Sequence, residues 1–188
     1  MNIFVLDKDP EVAAQQQCDK HVVKMIVESA QMLSTAHRVL DGFKTKRLSK
    51  TGKRMIDYYE LDDYEAELSY YKACHVNHPC SIWCRESEAN YRWLWEHMYA
   101  LCHEYTHRYG KRHKSENVLW PLKSPPFNIK KGGLTPFALA MGAAPECINK
   151  NDPVDSYRNF YQTKQNRFKM AWTKRDVPEW FEVTNANI

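Results

Sequence analysis

The stretch Asp9-Pro10-Glu11-Val12-Ala13-Ala14 … Asp19-Lys20-His21-Val22-Val23-Lys24-Met25-Ile26-Val27-Glu28 … Leu40-Asp41-Gly42 decides the fold class. Asp9 is an N-cap residue, Pro10 suits the first helical position and Glu11 puts an acid in the first turn. No proline or glycine interrupts the run from Glu11 to Asp41, and Gly42 supplies a C-terminal stop. Val22, Val23, Ile26, Ala30, Leu33, Val39 and Leu40 recur at helical spacing as an apolar stripe. One long helix from residue 10 to Gly42 is predicted.

A second such run begins at Asn77-His78-Pro79 and ends at Tyr109-Gly110, with Ile82, Trp83, Tyr91, Trp93, Leu94, Trp95, Met98, Leu101 and Tyr105 along it. Asp152-Pro153 repeats the start signal, and Tyr157, Phe160, Tyr161, Phe168 and Trp172 predict a helix ending near Lys174. Shorter helical pieces are expected at Asp62–Ala73, Ser115–Leu119 and Phe137–Met141, and the aromatics of 177–181 should pack back onto the body. Residues 43–61 are basic and read as an irregular loop, and 121–136 are rich in proline. No hairpin dipeptide stands between alternating apolar residues, so strands are not expected. The reading is an all-α fold: one helical domain over 1–188, compact, built on two long helices, with 43–73 and 111–151 as loops or insertions.

Composition narrows the function. Apolar residues make up 43% and charged residues 27%, which are globular values and not those of a disordered chain. No apolar run is long enough for a membrane span, and the start Met1–Asp7 turns acidic too soon for a signal peptide. A cytoplasmic protein is expected, in the host cell if viral, monomeric by default. A net charge of +4 permits a polyanionic partner without requiring one. Cys18, Cys74, Cys80, Cys84, Cys102 and Cys147 are read as reduced thiols. Histidines stand near several of them, but the spacing matches no standard zinc set; Cys80 and Cys84 fit a helix interior better. His103-x-x-x-His107 lacks the glutamate placement of a zincin helix. There is no phosphate-binding glycine loop and no Gly-x-Ser-x-Gly elbow. No metal and no cofactor are expected.

Two polar clusters remain. At 100° per residue, Gln17, His21, Lys24, Glu28, Gln31 and Thr35 share one wedge of the first helix, opposite its apolar stripe. His21, Lys24 and Glu28 are the parts of an acid–base site, although a solvated helix face would show the same pattern. The second cluster is the corner Asn77-His78-Pro79 with Arg85 on the helix that Pro79 opens, where a guanidinium could grip a phosphate. Lys44, Lys46 and Arg47 lead a run of six cations between 44 and 54 that reads either as a solvated loop or as a phosphate-contact arm.

Asp19-Lys20-His21 followed seven residues later by Glu28 resembles the first-helix signature of the phage endonuclease V family, the pyrimidine dimer DNA glycosylases. Asn77-His78-Pro79, the aromatic helix with Arg85, Tyr91 and Leu94, its end at Arg108-Tyr109-Gly110, and the cluster Trp172, Trp180 and Phe181 extend the resemblance over about half of the chain. It implies a small helical enzyme that excises a damaged base. An α-amine at the chain start attacks the sugar carbon and forms a Schiff base, and the glutamate, here Glu28, acts as acid–base and charge stabiliser. His21 would orient a phosphate or the glutamate. The partner implied is DNA, held by its phosphate backbone with one base extruded.

The sequence departs from that pattern at three points. Asn2 stands where the family exposes a small residue by losing the initiator Met. The amine lies five residues further from His21. Val27 and Gln31 replace the family's arginines. The expected catalytic set is Glu28, His21 and Lys24, with Met1 or, if buried, Lys24 as the amine, or with water activated by Glu28. Lys44, Lys46, Arg47, His78 and Arg85 are the expected nucleic-acid contacts. The function expected is that of a DNA base-excision N-glycosylase, with a strand-nicking lyase step open. Alternatives are a nucleotide N-glycosidase or transglycosylase, a non-enzymatic nucleic-acid binder or host-factor inhibitor, and a zinc-stabilised interaction module.

Overall fold

The computed structural model describes residues 1–184, so the last four residues of the expected 1–188 domain lie outside the described residues. Its elements run α1 (Pro10–Gln15), α2 (Asp19–Leu40), β1 (Phe43–Leu48), β2 (Met55–Glu60), α3 (Tyr64–Ser69), α4 (Pro79–Glu86), α5 (Glu88–Tyr109) and α6 (Pro153–Gln162), with short 3₁₀ turns after α5 and α6. The fold is mostly helical, with one two-stranded antiparallel sheet. Among the described residues no helix is long and apolar enough to cross a membrane.

The core forms where α2 packs on α4 and α5, and α1 on α5. Val22, Ile26, Ala30 and Leu33 of α2 meet Leu94, Met98 and Leu101 of α5 in full burial. The first residues belong to this core: Ile3, Phe4, Val5 and Leu6 are buried, so the chain start is tied down rather than frayed.

Both long helices are broken where the sequence shows no breaker. Between α1 and α2, the carbonyl of Gln15 accepts from Arg108 (3.0 Å) and that of Gln16 from the Trp172 indole (2.8 Å). The Cys18 amide donates to the Tyr161 hydroxyl (2.8 Å) and the Asp19 amide to the Ala171 carbonyl (2.8 Å). Groups distant in sequence thus take over hydrogen bonds that a continuous helix would make internally. Between α4 and α5, the Ser87 hydroxyl caps Asn90 and donates to the Gly133 carbonyl, while the Glu88 amide goes to Lys130.

Three further expectations fail for similar reasons. Residues 137–141 are not helical, because the Ala138 carbonyl accepts from Tyr157 (2.6 Å) and that of Ala140 from the Asn2 side chain (3.0 Å). The helix expected to reach Lys174 stops at Gln162; Phe168 and Trp172 reach the core from irregular backbone. The loop expected over 43–61 is a β-hairpin, so the fold is not purely all-α. Its pairs run from Phe43 opposite Glu60 to Leu48 opposite Met55, and the connection Ser49–Arg54 turns through Gly52 at φ +68°. Six connecting residues give no two-residue turn signal, and cross-strand ion pairs replace alternating apolar residues.

The hairpin is bolted to α2 by Arg38, which is fully buried. Its guanidinium donates to the carbonyls of Tyr59, Glu67, Tyr70 and Tyr71 and pairs with the Glu67 carboxylate at 2.5 Å. A Cβ at Gly42 would come within 2.5 Å of the Arg38 carbonyl and 2.6 Å of that of Glu60, so only glycine lets the chain turn there. The predicted helical piece within 62–73 is present as α3, and Trp180 and Phe181 pack edge-on against Tyr161 as expected.

Candidate active site

Most of the predicted polar wedge is not a wet face. Gln17, just before α2, is buried against His97, and Thr35 is buried against Cys74. His21 and Glu28 are buried where the chain start and the C-terminal segment cover α2. Glu28 is 8% exposed. A carboxylate removed from water needs donors, and all of those it finds are nitrogens near the chain start or one turn away. Its Oε2 accepts the Asn2 amide at 2.7 Å and lies 3.8 Å from the Met1 amine; its Oε1 lies 3.2 Å from Lys24 Nζ.

Asn2 holds this arrangement in place. Its side-chain oxygen accepts from the amides of Ile3 (2.7 Å) and Phe4 (3.1 Å), and its side-chain nitrogen donates to Ala140. Phe4 then turns at φ +54°, a costly conformation for an aromatic residue, and stacks on His21 at 4.6 Å. The Met1 thioether receives the Ser81 hydroxyl at 3.3 Å, which ties the chain start to the first turns of α4.

His78 caps α4: its Nδ1 accepts the Cys80 amide at 3.2 Å, so the ring proton sits on Nε2. Burial, the Met1 amine and His75 hold its pKa below the ordinary histidine value, with Glu28 opposing them. The corner turns at His75, where φ is +48°. Arg85 donates to the Ser81 carbonyl at 2.9 Å, so it lies on the same turn of α4 that meets Met1. Glu28, Met1, Ser81, His78 and Arg85 therefore gather on one side of the molecule.

Other expected residues are placed differently. The His21 Nδ1 is bonded to the Tyr161 hydroxyl at 2.7 Å, and the ring sits among Phe4, Tyr161 and Phe168. Burial, with Lys24 and Lys164 adding to it, lowers its pKa to about 3. A neutral ring enclosed by aromatics is not a phosphate grip, and among the described residues no hydrogen bond joins it to Glu28. Lys24 is 65% exposed in its side chain, so the burial required of a lysine nucleophile is absent. Lys44 and Lys46 pair with Asp57, and Arg47 with Glu60, across the hairpin.

Lys164 escaped the sequence reading. It is buried, its ammonium lies 3.3 Å from the Phe160 ring centroid, and burial, with Arg167 and Lys24 contributing, lowers its pKa to about 8. Its sequence neighbours are polar, and only the fold of the C-terminal segment buries it. The thiols of Cys80 and Cys84 are buried and pushed up, that of Cys80 to about 12. Among the described residues no group of three or more His, Cys, Asp or Glu side chains gathers to hold a metal. His103 and His107 line a separate cleft of about 330 Å³ with Glu11, Tyr99, Glu104 and Arg175.

The two halves of the sequence signature meet in space. Asp19, which opens α2, pairs with Arg108 at the end of α5 at 2.8 Å. Arg108 also binds Glu104 at 2.7 Å, and Arg175 closes the network on Glu104 at 2.9 Å. Asp19 is thereby a fastener between helices, and Glu28 is left as the acid beside the amines. A sequence model of the pyrimidine dimer DNA glycosylases matches residues 1–117, which carry α1 to α5 and every residue of the Glu28 cluster. The chain belongs to that family. It is a DNA glycosylase in the general sense, and DNA is its substrate class. No curated protein and no solved structure matches it.

Proposed function

We propose that this protein excises a damaged pyrimidine from duplex DNA, with an amine at the chain start as nucleophile and Glu28 as its acid–base partner. The observation that carries this reading is the 3.8 Å approach of the Met1 amine to Glu28 Oε2, fixed by the 2.7 Å bond from Asn2 to the same oxygen. The amine nitrogen bonds to the sugar C1′ while the C1′–base bond breaks and its electron pair leaves with the base. Glu28 takes the proton that the amine must lose, and its charge stabilises the oxocarbenium character of the transition state. Ring opening then leaves an imine, from which loss of a C2′ proton can break the strand on its 3′ side.

In this reading His78, whose Nε2–H has no hydrogen-bond partner among the described residues, and Arg85 hold the phosphates beside the extruded nucleotide. Lys24, exposed and paired with Glu28, serves as a further cation at the mouth of the site. The test is borohydride trapping on an ultraviolet-irradiated duplex, with the adduct mapped by digestion. An adduct on the first peptide, lost in Glu28→Gln, is expected. Base release without any adduct would replace the amine by water activated at Glu28. An adduct mapped to Lys164 would move the nucleophile to that buried amine.

A further inference from the structure

The six cations of residues 44–54 do not form one uniform patch. Lys44, Lys46 and Arg47 are spent on Asp57 and Glu60 within the hairpin. Lys50, Lys53 and Arg54, at the connection between the strands, are exposed and have no ion-pair partner among the described residues. No acid lies between Ser49 and Ile56, so the tip is a local charge of +3.

Directly below the tip, Leu48 and Met55 face each other across the strands, 64% and 55% exposed. The pairing puts Leu48–Met55, Lys46–Asp57 and Lys44–Tyr59 on one face. The opposite face is the anchored one, where Tyr58 packs under Arg47 (3.8 Å to the ring centroid) and bonds to Glu67. The outward face descends to Tyr59, whose backbone carbonyl is held by Arg38 at 2.8 Å, and Tyr59 lies close enough to Arg85 to bear on its ionisation. Arg85 leads through Ser81 to Met1 and Glu28.

We propose that this hairpin is a rigid DNA-contacting arm. Lys50, Lys53 and Arg54 hold backbone phosphates away from the excision site, and the Leu48–Met55 pair lies against the groove beneath them. The proposal rests on the glycosylase reading for its partner. Charge complementarity favours a polyanion: a tip with three cations unpaired among the described residues and no acid of its own suits phosphates spaced along a strand. Short β-ribbons enter DNA grooves, and Leu and Met are among the apolar side chains that wedge against base steps. Strands of this length reach about 20 Å, or about six base-pair steps of 3.4 Å. The buried anchor at Arg38 makes the arm a fixed ruler, so its contacts fall at a set distance on one side of the lesion.

The test measures binding of the Glu28→Gln protein, which leaves the duplex uncut, to lesion-bearing and undamaged duplexes over a series of salt concentrations. It compares two added changes: Lys50→Ala/Lys53→Ala/Arg54→Ala and Lys44→Ala/Lys46→Ala. Loss of three phosphate contacts should reduce the slope of log K against log salt by roughly 2–3 for the tip variant. The slope should change by less than one for the strand variant, whose lysines are already paired. Leu48→Ser/Met55→Ser should weaken binding severalfold with the slope unchanged. Circular dichroism checks the fold, which these exposed side chains do not support. An unchanged slope for the tip variant overturns the arm whether or not base release occurs. An unchanged slope together with loss of binding to phosphatidylserine vesicles assigns the tip to a membrane surface and also overturns it. A reduced slope, with no base release by the protein carrying Glu28, leaves the arm standing and overturns the glycosylase reading alone.

Discussion

Glu28 and Glu104 are both carboxylates on 22-residue helices, and both are nearly inaccessible, at 8% and 3%. Their donors set them apart. Glu104 is saturated by two arginines, Arg108 from its own helix and Arg175 from the C-terminal segment. Burial pushes its carboxyl up, but the bonds from Arg175 and Arg108 outweigh that and leave it below the ordinary glutamate value. Guanidinium groups do not give up their protons, so this network can only hold the fold together. Glu28 instead faces a backbone amide and two amines, Met1 and Lys24. Amines can lose a proton and then attack carbon. A buried carboxylate among arginines is a fastener; one among amines is equipped for chemistry.

Four measurements break or sharpen that contrast. Arg108→Ala removes the arginine that joins Glu104 to Asp19 and should cost about 3–5 kcal/mol of stability, because two acids are left without their shared cation. Urea denaturation measures this, and base release per folded molecule should persist. Glu28→Gln should lower the base-release rate by about 10²–10³-fold, or about 3–4 kcal/mol in barrier, with the urea midpoint nearly unmoved. If Glu28→Gln unfolds the protein and Arg108→Ala silences it, the assignments of the two acids are reversed.

Acid should separate the regions next. Burial lowers the pKa values of His21, His37 and His97 to about 3, 4 and 4, against 6.5 in the unfolded chain. Between about pH 6.5 and 4 the unfolded state binds more protons, so stability falls as pH falls through that window. A step from pH 6 to 5 should cost about 1 kcal/mol per histidine. His21 and His37 lie on the Glu28 helix, while Glu104 stays ionised over that step. Urea midpoints at pH 7, 6 and 5 measure the loss, and a flat profile would mean that these rings are hydrated in the native state. The smallest effect is expected of Lys24→Gln, less than about 1 kcal/mol of stability because the pair with Glu28 is exposed on the lysine side. A loss of rate as large as that of Glu28→Gln would make Lys24 the amine of the reaction.

The legible part of the molecule is the part written in local signals. Asp9-Pro10, His78-Pro79 and Asp152-Pro153 each open a helix as expected, and Gly110 closes α5 at φ +67°. The apolar residues Val22, Ile26, Ala30 and Leu33 are buried where their period put them. The breaks at Gln16–Cys18 and Ser87 were not legible, because the groups that cause them, Tyr161, Trp172 and Gly133 among others, lie 46 to 156 residues away. The hairpin was hidden for a related reason: its strands carry lysine and arginine whose partners, Asp57 and Glu60, come from the other strand.

The sequence by itself determined that Glu28, Lys24 and His21 share a helix face, because a period of 3.6 residues follows from backbone geometry alone. It also determined where the helices begin, because capping acts within a few residues of chain. Only the tertiary structure decided what that face does. It buried His21 among aromatics, left Lys24 in water, and brought Met1 to 3.8 Å from Glu28 across 27 residues of sequence. Burial and long-range approach depend on which surfaces pack together, and those are the two quantities that set whether a carboxylate is solvated, fastened or reactive.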